Sequence, residues 1–305
     1  MHRRRFLHAS ALGAVAAPAL SPSVLAEAAV RDSDAAPGAI ATAYPEHVPG
    51  QGIPPAQQSV SRWCYGYLPL ERLLPELKEI GLSAIDLITP KDWPVLRDHG
   101  FTCSMAYGRE DEDITTGFID AGKHDELYSA YAKTIPQMAE YGYENLVCFA
   151  GNRRGQFDLD GLRTAAKGLR RLMPIAEEHG VTLQMEAFNS KVDHPDYMGD
   201  STAWLVTLCD LVDSDHFKIL FDIYHMQVQE GNVIATIRAY HDYFGHYHTA
   251  GVPGRHELND EQELYYPAVM RAVRATGFAC YVAHEFVPTY EDKLSGLREA
   301  VRVCA

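Results

Sequence analysis

From Ser59 onward the chain alternates short apolar runs with longer stretches whose apolar residues recur every three or four positions. Runs of the first kind read as buried strands and those of the second as amphipathic helices. The pattern predicts strands at 61–67, 84–88, 101–107, 145–150, 182–188, 217–223, 245–249 and 278–286. Helices are predicted at 70–80, 92–99, 123–141, 159–179, 201–211, 233–243, 266–275 and 290–303. Gly81, Gly100, Gly180 and Gly277 stand just past four of these helices, where a left-handed residue ends a helix at little steric cost. Pro136 and Pro174 fall inside predicted helices and predict kinks. The polar stretch 108–122 is long for a plain connector.

Strands that alternate with helices pair in parallel through right-handed crossovers. Eight such units over residues 59–305 fit the size of a closed (β/α)8 TIM barrel. A doubly wound open sheet is the competing architecture. No GxGxxG follows the first strand, so a dinucleotide-binding sheet has little support.

The barrel gives meaning to isolated polar residues in apolar runs. Glu186, Asp222, His248 and Glu285 lie near the ends of four successive predicted strands. Catalytic groups of this architecture gather at the C-terminal ends of the strands. A buried carboxylate is costly unless paired or coordinated, so these residues read as a site more readily than as structural ion pairs. Three carboxylates and an imidazole form a hard ligand set that suits Mn²⁺, Mg²⁺ or Co²⁺ with positions open to a substrate. Such a cation stabilises an enediolate, and two glutamates can serve as paired acid and base. His246 and His248 point to one side of their strand, so one entering the mouth puts the other beneath it. His284 points away from its neighbour Glu285 and reads as structural. Trp63 and Tyr65 read as core, and the run Glu110-Asp111-Glu112-Asp113 as a solvated loop face.

Charge and composition narrow the classes. The net charge is −14 in a chain of 305 residues with 47% hydrophobic residues. Such an acidic body disfavours nucleic acid and anionic membrane surfaces as partners. A small-molecule substrate is expected instead, and a homo-oligomer is compatible with the sequence. The six cysteines form no CxxC pair and read as small core residues. Arg3-Arg4-Arg5-Phe6-Leu7, the apolar run 9–20 and Val24-Leu25-Ala26 resemble a twin-arginine signal peptide over 1–26. That predicts export, to the periplasm, with no stable membrane insertion once the signal is removed. Residues 27–58, rich in Ala, Pro, Gly and Gln, read as a linker or arm ahead of the barrel domain at 59–305.

Phe221-Asp222-Ile223-Tyr224-His225-Met226-Gln227, Gly245-His246-Tyr247-His248, Val252-Pro253-Gly254-Arg255-His256-Glu257 and Tyr265-Tyr266-Pro267 resemble, in that order, the hydroxypyruvate isomerase family of xylose isomerase-like barrels. The resemblance covers roughly residues 59–305 and is densest from Glu186 onward. It implies that Glu186, Asp222, His248 and Glu285 bind the metal, and that Glu186 and Glu285 also transfer protons. It further implies that His225 and Arg255 contact substrate oxygens. The implied activity is metal-dependent isomerisation of hydroxypyruvate to tartronate semialdehyde. Hydroxypyruvate isomerases tend to carry glutamine where His248 stands, whereas related ketose epimerases carry histidine. Those epimerases also place a substrate-binding glutamate at the position of Val192, and residues 190–197 read as an insertion that reshapes the pocket. A ketose 3-epimerase is therefore the alternative. A metal-dependent hydrolase or endonuclease, or a non-catalytic sugar-binding protein, represent other classes.

Overall fold

A computed structural model describes residues 57–305. The predicted signal peptide, and the predicted arm up to residue 56, lie outside the described residues. Eight strands close into a barrel in chain order: β1 (Gln57–Ser61), β2 (Ala84–Ile88), β3 (Thr102–Ala106), β4 (Asn145–Cys148), β5 (Thr182–Glu186), β6 (Phe217–Asp222), β7 (Phe244–Thr249) and β8 (Tyr281–His284). Every neighbouring pair is parallel, and β1 closes on β8 from Gln57 against Tyr281 to Val60 against His284. The architecture is the (β/α)8 barrel that the pattern predicts.

Helices clothe the barrel by their apolar faces. In α1 (Leu70–Ile80), Leu70, Leu73, Leu74 and Leu77 are buried, a stripe at i, i+3, i+4 and i+7. Burying each such side chain is worth about 1.5–3 kcal/mol. Gly81 ends this helix at φ +98°, a conformation open to glycine without steric cost. Two further helices follow, α2 (Trp93–Asp98) and α3 (His124–Tyr141). The latter runs on through Pro136, where a kink was predicted.

Three departures from the pattern bear on the site. The first strand ends at Ser61, and Arg62–Tyr65 form a 3-10 turn where strand was predicted. The Arg62 guanidinium causes this locally, donating to the carbonyls of Tyr65 (2.8 Å) and Leu68 (2.9 Å). The strand is instead begun by Gln57 and Gln58, from the end of the predicted arm. Their amides donate to the carbonyls of Ala279 and Val301. The predicted long helix at 159–179 is two, α4 (Asp158–Arg170) and α5 (Met173–His179). Pro174 occupies the first turn of α5, where no N–H is needed. After α6 (Thr202–Val212), an unpredicted helix, α7 (Ile223–Gln229), leaves β6 directly. It precedes α8 (Val233–Tyr240), and α9 (Tyr266–Ala275) and α10 (Lys293–Cys304) complete the ring.

The loop after β3 docks on the end of β4. The N–H groups of Phe118 and Ile119 donate to the carbonyls of Phe149 and Ala150. A Cβ on Gly117 would sit 2.1 Å from the Phe149 oxygen, so this approach requires glycine. One acid of the 110–113 run is not solvated: the Glu112 side chain is 7% exposed and paired with Arg109 at 3.2 Å. Five of the six cysteines are buried, Cys280 is exposed, and all six are free thiols. Among the described residues no helix is long and apolar enough to cross a membrane.

Candidate active site at the barrel mouth

The four residues on successive strands converge. Glu186 ends β5, Asp222 ends β6, His248 is the penultimate residue of β7, and Glu285 follows β8 directly. Parallel register places Asp222 beside His248 on adjacent strands. One ligand atom from each of the four lies within 4.8 Å of the others, and all four residues are buried. Around His248 Nδ1 stand Glu285 Oε2 at 2.9 Å, Glu186 Oε1 at 3.0 Å and Asp222 Oδ2 at 3.9 Å.

Each side chain is aimed by a partner behind it. Asp222 Oδ1 accepts from the His225 N–H at 3.0 Å, capping α7, while Oδ2 has no hydrogen-bond partner and is shielded from solvent. His248 Nε2 lies 2.9 Å from Asp86 Oδ2. Asp86 stands fully buried in β2, with His246 Nε2 at 3.0 Å, the Ser104 hydroxyl at 2.8 Å and the Ser61 hydroxyl at 3.2 Å. His246 therefore lies beneath the mouth and His248 in it, held on one carboxylate. The Trp63 indole donates to Glu285 Oε1 at 2.6 Å, and Arg255 Nη2 reaches Glu285 Oε2 at 2.5 Å and Asp222 Oδ2 at 3.7 Å. The Arg255 guanidinium also lies over the rings of Trp63 and Tyr224.

His225 is brought to the same end of the barrel but is fully buried, behind Asp222. Its tautomer follows from its neighbours. Asn189 Oδ1 accepts from the backbone N–H groups of Val192 and Asp193, so the Asn189 amide nitrogen faces His225 Nδ1 at 2.7 Å as donor. His225 Nδ1 is then the acceptor, and Nε2 carries the proton. That Nε2 has no hydrogen-bond partner and lies 3.7 Å from Asp222 Oδ2.

Electrostatics divide the two glutamates. Burial pushes Glu186 up to about 7, and the nearby Glu285 charge adds to the push. Burial also acts on Glu285, but His248, Arg255 and the Trp63 indole outweigh it and hold that carboxyl well below its usual range. Burial raises Asp222 to about 6 despite Arg255. For His248 burial opposes the charged form, yet Glu285, Glu186 and Asp86 raise its proton affinity well above the usual value. A divalent cation would displace the His248 Nδ1 proton and keep Glu186 and Asp222 ionised; three carboxylates and the Arg255 guanidinium then sum to about −2, the charge such a cation matches. The unpartnered Asp222 Oδ2 and the oxygen-rich donor set also fit such a cation.

Beside the cluster opens a cavity of about 190 Å³, with Glu186, Glu285 and Arg255 on its polar side. Trp63, Tyr107, Phe149 and Phe188 line its aromatic side, and His194 joins them from the segment after β5. Trp63 is thus part of the site and not of the core as predicted. Asp86 was also missed, although a lone acid in the apolar run Ala84–Ile88 is the signal that revealed Glu186. His284 is structural as predicted, with Thr249 Oγ1 3.0 Å from Nδ1 and Gln58 Oε1 2.9 Å from Nε2. Val192 is 65% exposed and not among the residues lining the cavity.

A closed eight-stranded barrel with acidic and imidazole groups gathered at its mouth defines a TIM-barrel scaffold of enzyme type. The chain belongs to the xylose isomerase-like TIM barrel family, whose profile matches residues 74–304. It is 27% identical over 226 residues to a putative hydroxypyruvate isomerase of Danio rerio, covering 74% of this chain and 78% of that one. It is 31% identical over 110 residues to a 2-oxo-tetronate isomerase of Pectobacterium atrosepticum, covering 36% of this chain and 41% of that one. These relatives support an isomerase. The fold is shared with an AP endonuclease, family 2, from Brucella melitensis (TM-score 0.72, 21% identity, 81% of this chain and 98% of that one). It is shared equally with a 3-keto-D-glucoside 4-epimerase from E. coli (TM-score 0.69, 19% identity, 82% and 98%).

Proposed function

We propose that the protein is a divalent-metal-dependent isomerase of a small hydroxy-carbonyl compound, converting hydroxypyruvate to tartronate semialdehyde. The observation that carries this reading is the convergence of Glu186, Asp222, His248 and Glu285 on one point at the edge of a small cavity. At about 190 Å³ that cavity is below the roughly 300–1,000 Å³ common for drug-sized ligands, which suits a compact substrate.

Those four residues would hold Mn²⁺, Mg²⁺ or Co²⁺, which supplies a Lewis acid for the carbonyl and its enediolate. The chain's own groups do the remaining work. One glutamate removes a proton from the hydroxymethyl carbon, and a proton is returned to the former carbonyl carbon. The hydroxyl proton of the starting alcohol is lost as the new aldehyde forms, and the old carbonyl oxygen gains one, so the reaction is balanced without an oxidant. Arg255 and the Nε2–H of His225 bind substrate oxygens. The aromatic walls exclude water from the enediolate.

Histidine at position 248 favours a second reading, a ketose 3-epimerase, in which the proton returns to the carbon it left. Both readings are tested by solvent deuterium incorporation on protein loaded with each metal. Hydroxypyruvate, tartronate semialdehyde and a ketose panel are the substrates. Exchange into hydroxypyruvate supports the first reading and exchange into a ketose the second; no exchange into any of them rejects both. Export by the twin-arginine pathway to the periplasm is part of the proposal and rests on the residues Arg3 to Leu7. A fused reporter that stays in the cytoplasm would reject it.

A further inference from the structure

The geometry points to His194 as a substrate-binding residue of this site, offering Nε2 to a hydroxyl of the bound molecule and so helping to set which hydroxy-carbonyl compounds are accepted. This inference rests on the isomerase or epimerase reading above. It concerns a residue that lies outside the metal-binding set and outside His225 and Arg255.

The ring of His194 lines the same cavity as Glu186, Glu285 and Arg255. It stacks on Phe188 with centroids 4.3 Å apart, Phe188 stacks in turn near Phe149, and the His225 ring is 5.1 Å away. Its Nε2 is shielded from solvent and has no hydrogen-bond partner among the described residues. A shielded polar nitrogen without a partner costs free energy unless a ligand supplies one.

The segment that carries it is held from several sides. The His194 N–H donates to the Asn189 carbonyl at 3.1 Å, and the His194 carbonyl accepts from the Tyr197 N–H at 3.1 Å. Asp193 Oδ2 accepts from Asn189 Nδ2 at 2.6 Å and from the Tyr224 hydroxyl at 2.8 Å. The Tyr197 hydroxyl bridges the Ala150 N–H and the Glu186 carbonyl. The fold thus fixes the backbone that carries this imidazole, and stacking on Phe188 orients the ring.

Burial, with Arg255 nearby, keeps His194 in its neutral form. A neutral imidazole offers one donor and one acceptor, which complements a hydroxyl better than a carboxylate. His194 accordingly favours substrates that carry a hydroxyl beyond the reacting carbons.

The test uses the full chain loaded with Mn²⁺, with hydroxypyruvate and D-ribulose as probes. Deuterium incorporation, calorimetric binding and ¹⁵N resonances of labelled histidine are followed in wild type, His194→Ala and His194→Gln, with folding checked by circular dichroism. In His194→Ala, KM or Kd for D-ribulose should rise about tenfold, the worth of one neutral hydrogen bond, with kcat within about threefold of wild type. His194→Gln should recover most of this, and the His194 ring resonance should move on D-ribulose addition. Unchanged affinity in His194→Ala, or a resonance that neither probe moves, overturns the assignment. Probes that bind and weaken in His194→Ala without any exchange in wild type leave the assignment standing and reject the isomerase or epimerase reading instead.

Discussion

Asp86 Oδ2 lies 2.9 Å from His248 Nε2, and this one contact decides which nitrogen of His248 faces the carboxylates. With Nε2–H donated to Asp86, Nδ1 faces the point shared by Glu186, Asp222 and Glu285, and its lone pair becomes available to a cation once the Nδ1 proton is displaced. The carboxylate that does this is itself fixed by Ser61, Ser104 and His246. Partners behind a metal-binding histidine are worth about 10–100-fold in metal affinity. Asp86→Asn should therefore weaken Mn²⁺ binding about 10–100-fold, read by competition with a chelator, without loss of the barrel by circular dichroism. Unchanged Mn²⁺ affinity would remove Asp86 from the site.

A cation at the cluster should also stabilise the fold, because it relieves repulsion among three buried carboxylates. At a free metal concentration of a hundred times Kd, the gain is about 2.7 kcal/mol. Thermal unfolding with Mn²⁺ and with EDTA measures it directly. A rise in Tm of several degrees with Mn²⁺ is expected in wild type and should be lost in Asp222→Asn, since Asp222 Oδ2 accepts no hydrogen bond and is free to take a cation. An equal rise in both proteins would place the cation elsewhere.

Most of the site was legible because the signal was local: an acid or histidine at the end of an apolar run has few structural uses, and a barrel sends all such ends to one mouth. Asp86 is likewise an isolated acid in an apolar run, but it stands in the middle of Ala84–Ile88 and not at its end, so the strand-end rule does not reach it. Trp63 was hidden for a different reason. It sits in a 3-10 turn where the Arg62 side chain donates to carbonyls three and six residues on, and hydrophobic periodicity carries no signal for side-chain-to-backbone bonds of that kind. His194 lies in an irregular segment whose path depends on Asn189, Asp193 and Tyr224 together, contacts that join residues up to 31 positions apart only after folding. The helix α7 was obscured because Asp222 serves two elements at once, ending a strand and capping a helix.

Trp63 holds Glu285 by an indole N–H at 2.6 Å, and it also lies under the Arg255 guanidinium. Trp63→Phe keeps an aromatic ring and removes the donor. A hydrogen bond to a charged group is worth about 1.5–3 kcal/mol, so the variant should lose roughly ten- to a hundredfold in the rate of deuterium exchange. Mn²⁺ affinity should change less, because Glu285 Oε2 still faces the cluster. A variant with wild-type exchange rates would mean that Arg255 and His248 suffice to orient Glu285.

Glu112 offers a test away from the site, where two forces oppose each other. Its side chain is 7% exposed, and burial raises its carboxyl from 4.5 to about 7 despite the pairing with Arg109 at 3.2 Å. Arg109 divides its charge, since it also reaches Glu126 at 3.1 Å, and so compensates Glu112 incompletely. A carboxyl whose folded value lies above its unfolded value binds more protons in the folded state. Its contribution is fully present below about 4.5 and is lost as pH rises towards about 7. The displacement corresponds to a stability change on the order of 3 kcal/mol. Glu112→Gln removes the titration while leaving an oxygen to accept from the Arg109 N–H. The variant should thus gain on wild type as pH rises from 4.5 to 7 and keep a constant advantage above that, measured as the difference in urea midpoints across the range. Should the ion pair with Arg109 dominate instead, wild type would gain on the variant over the same interval, and the sign of that slope separates the two cases.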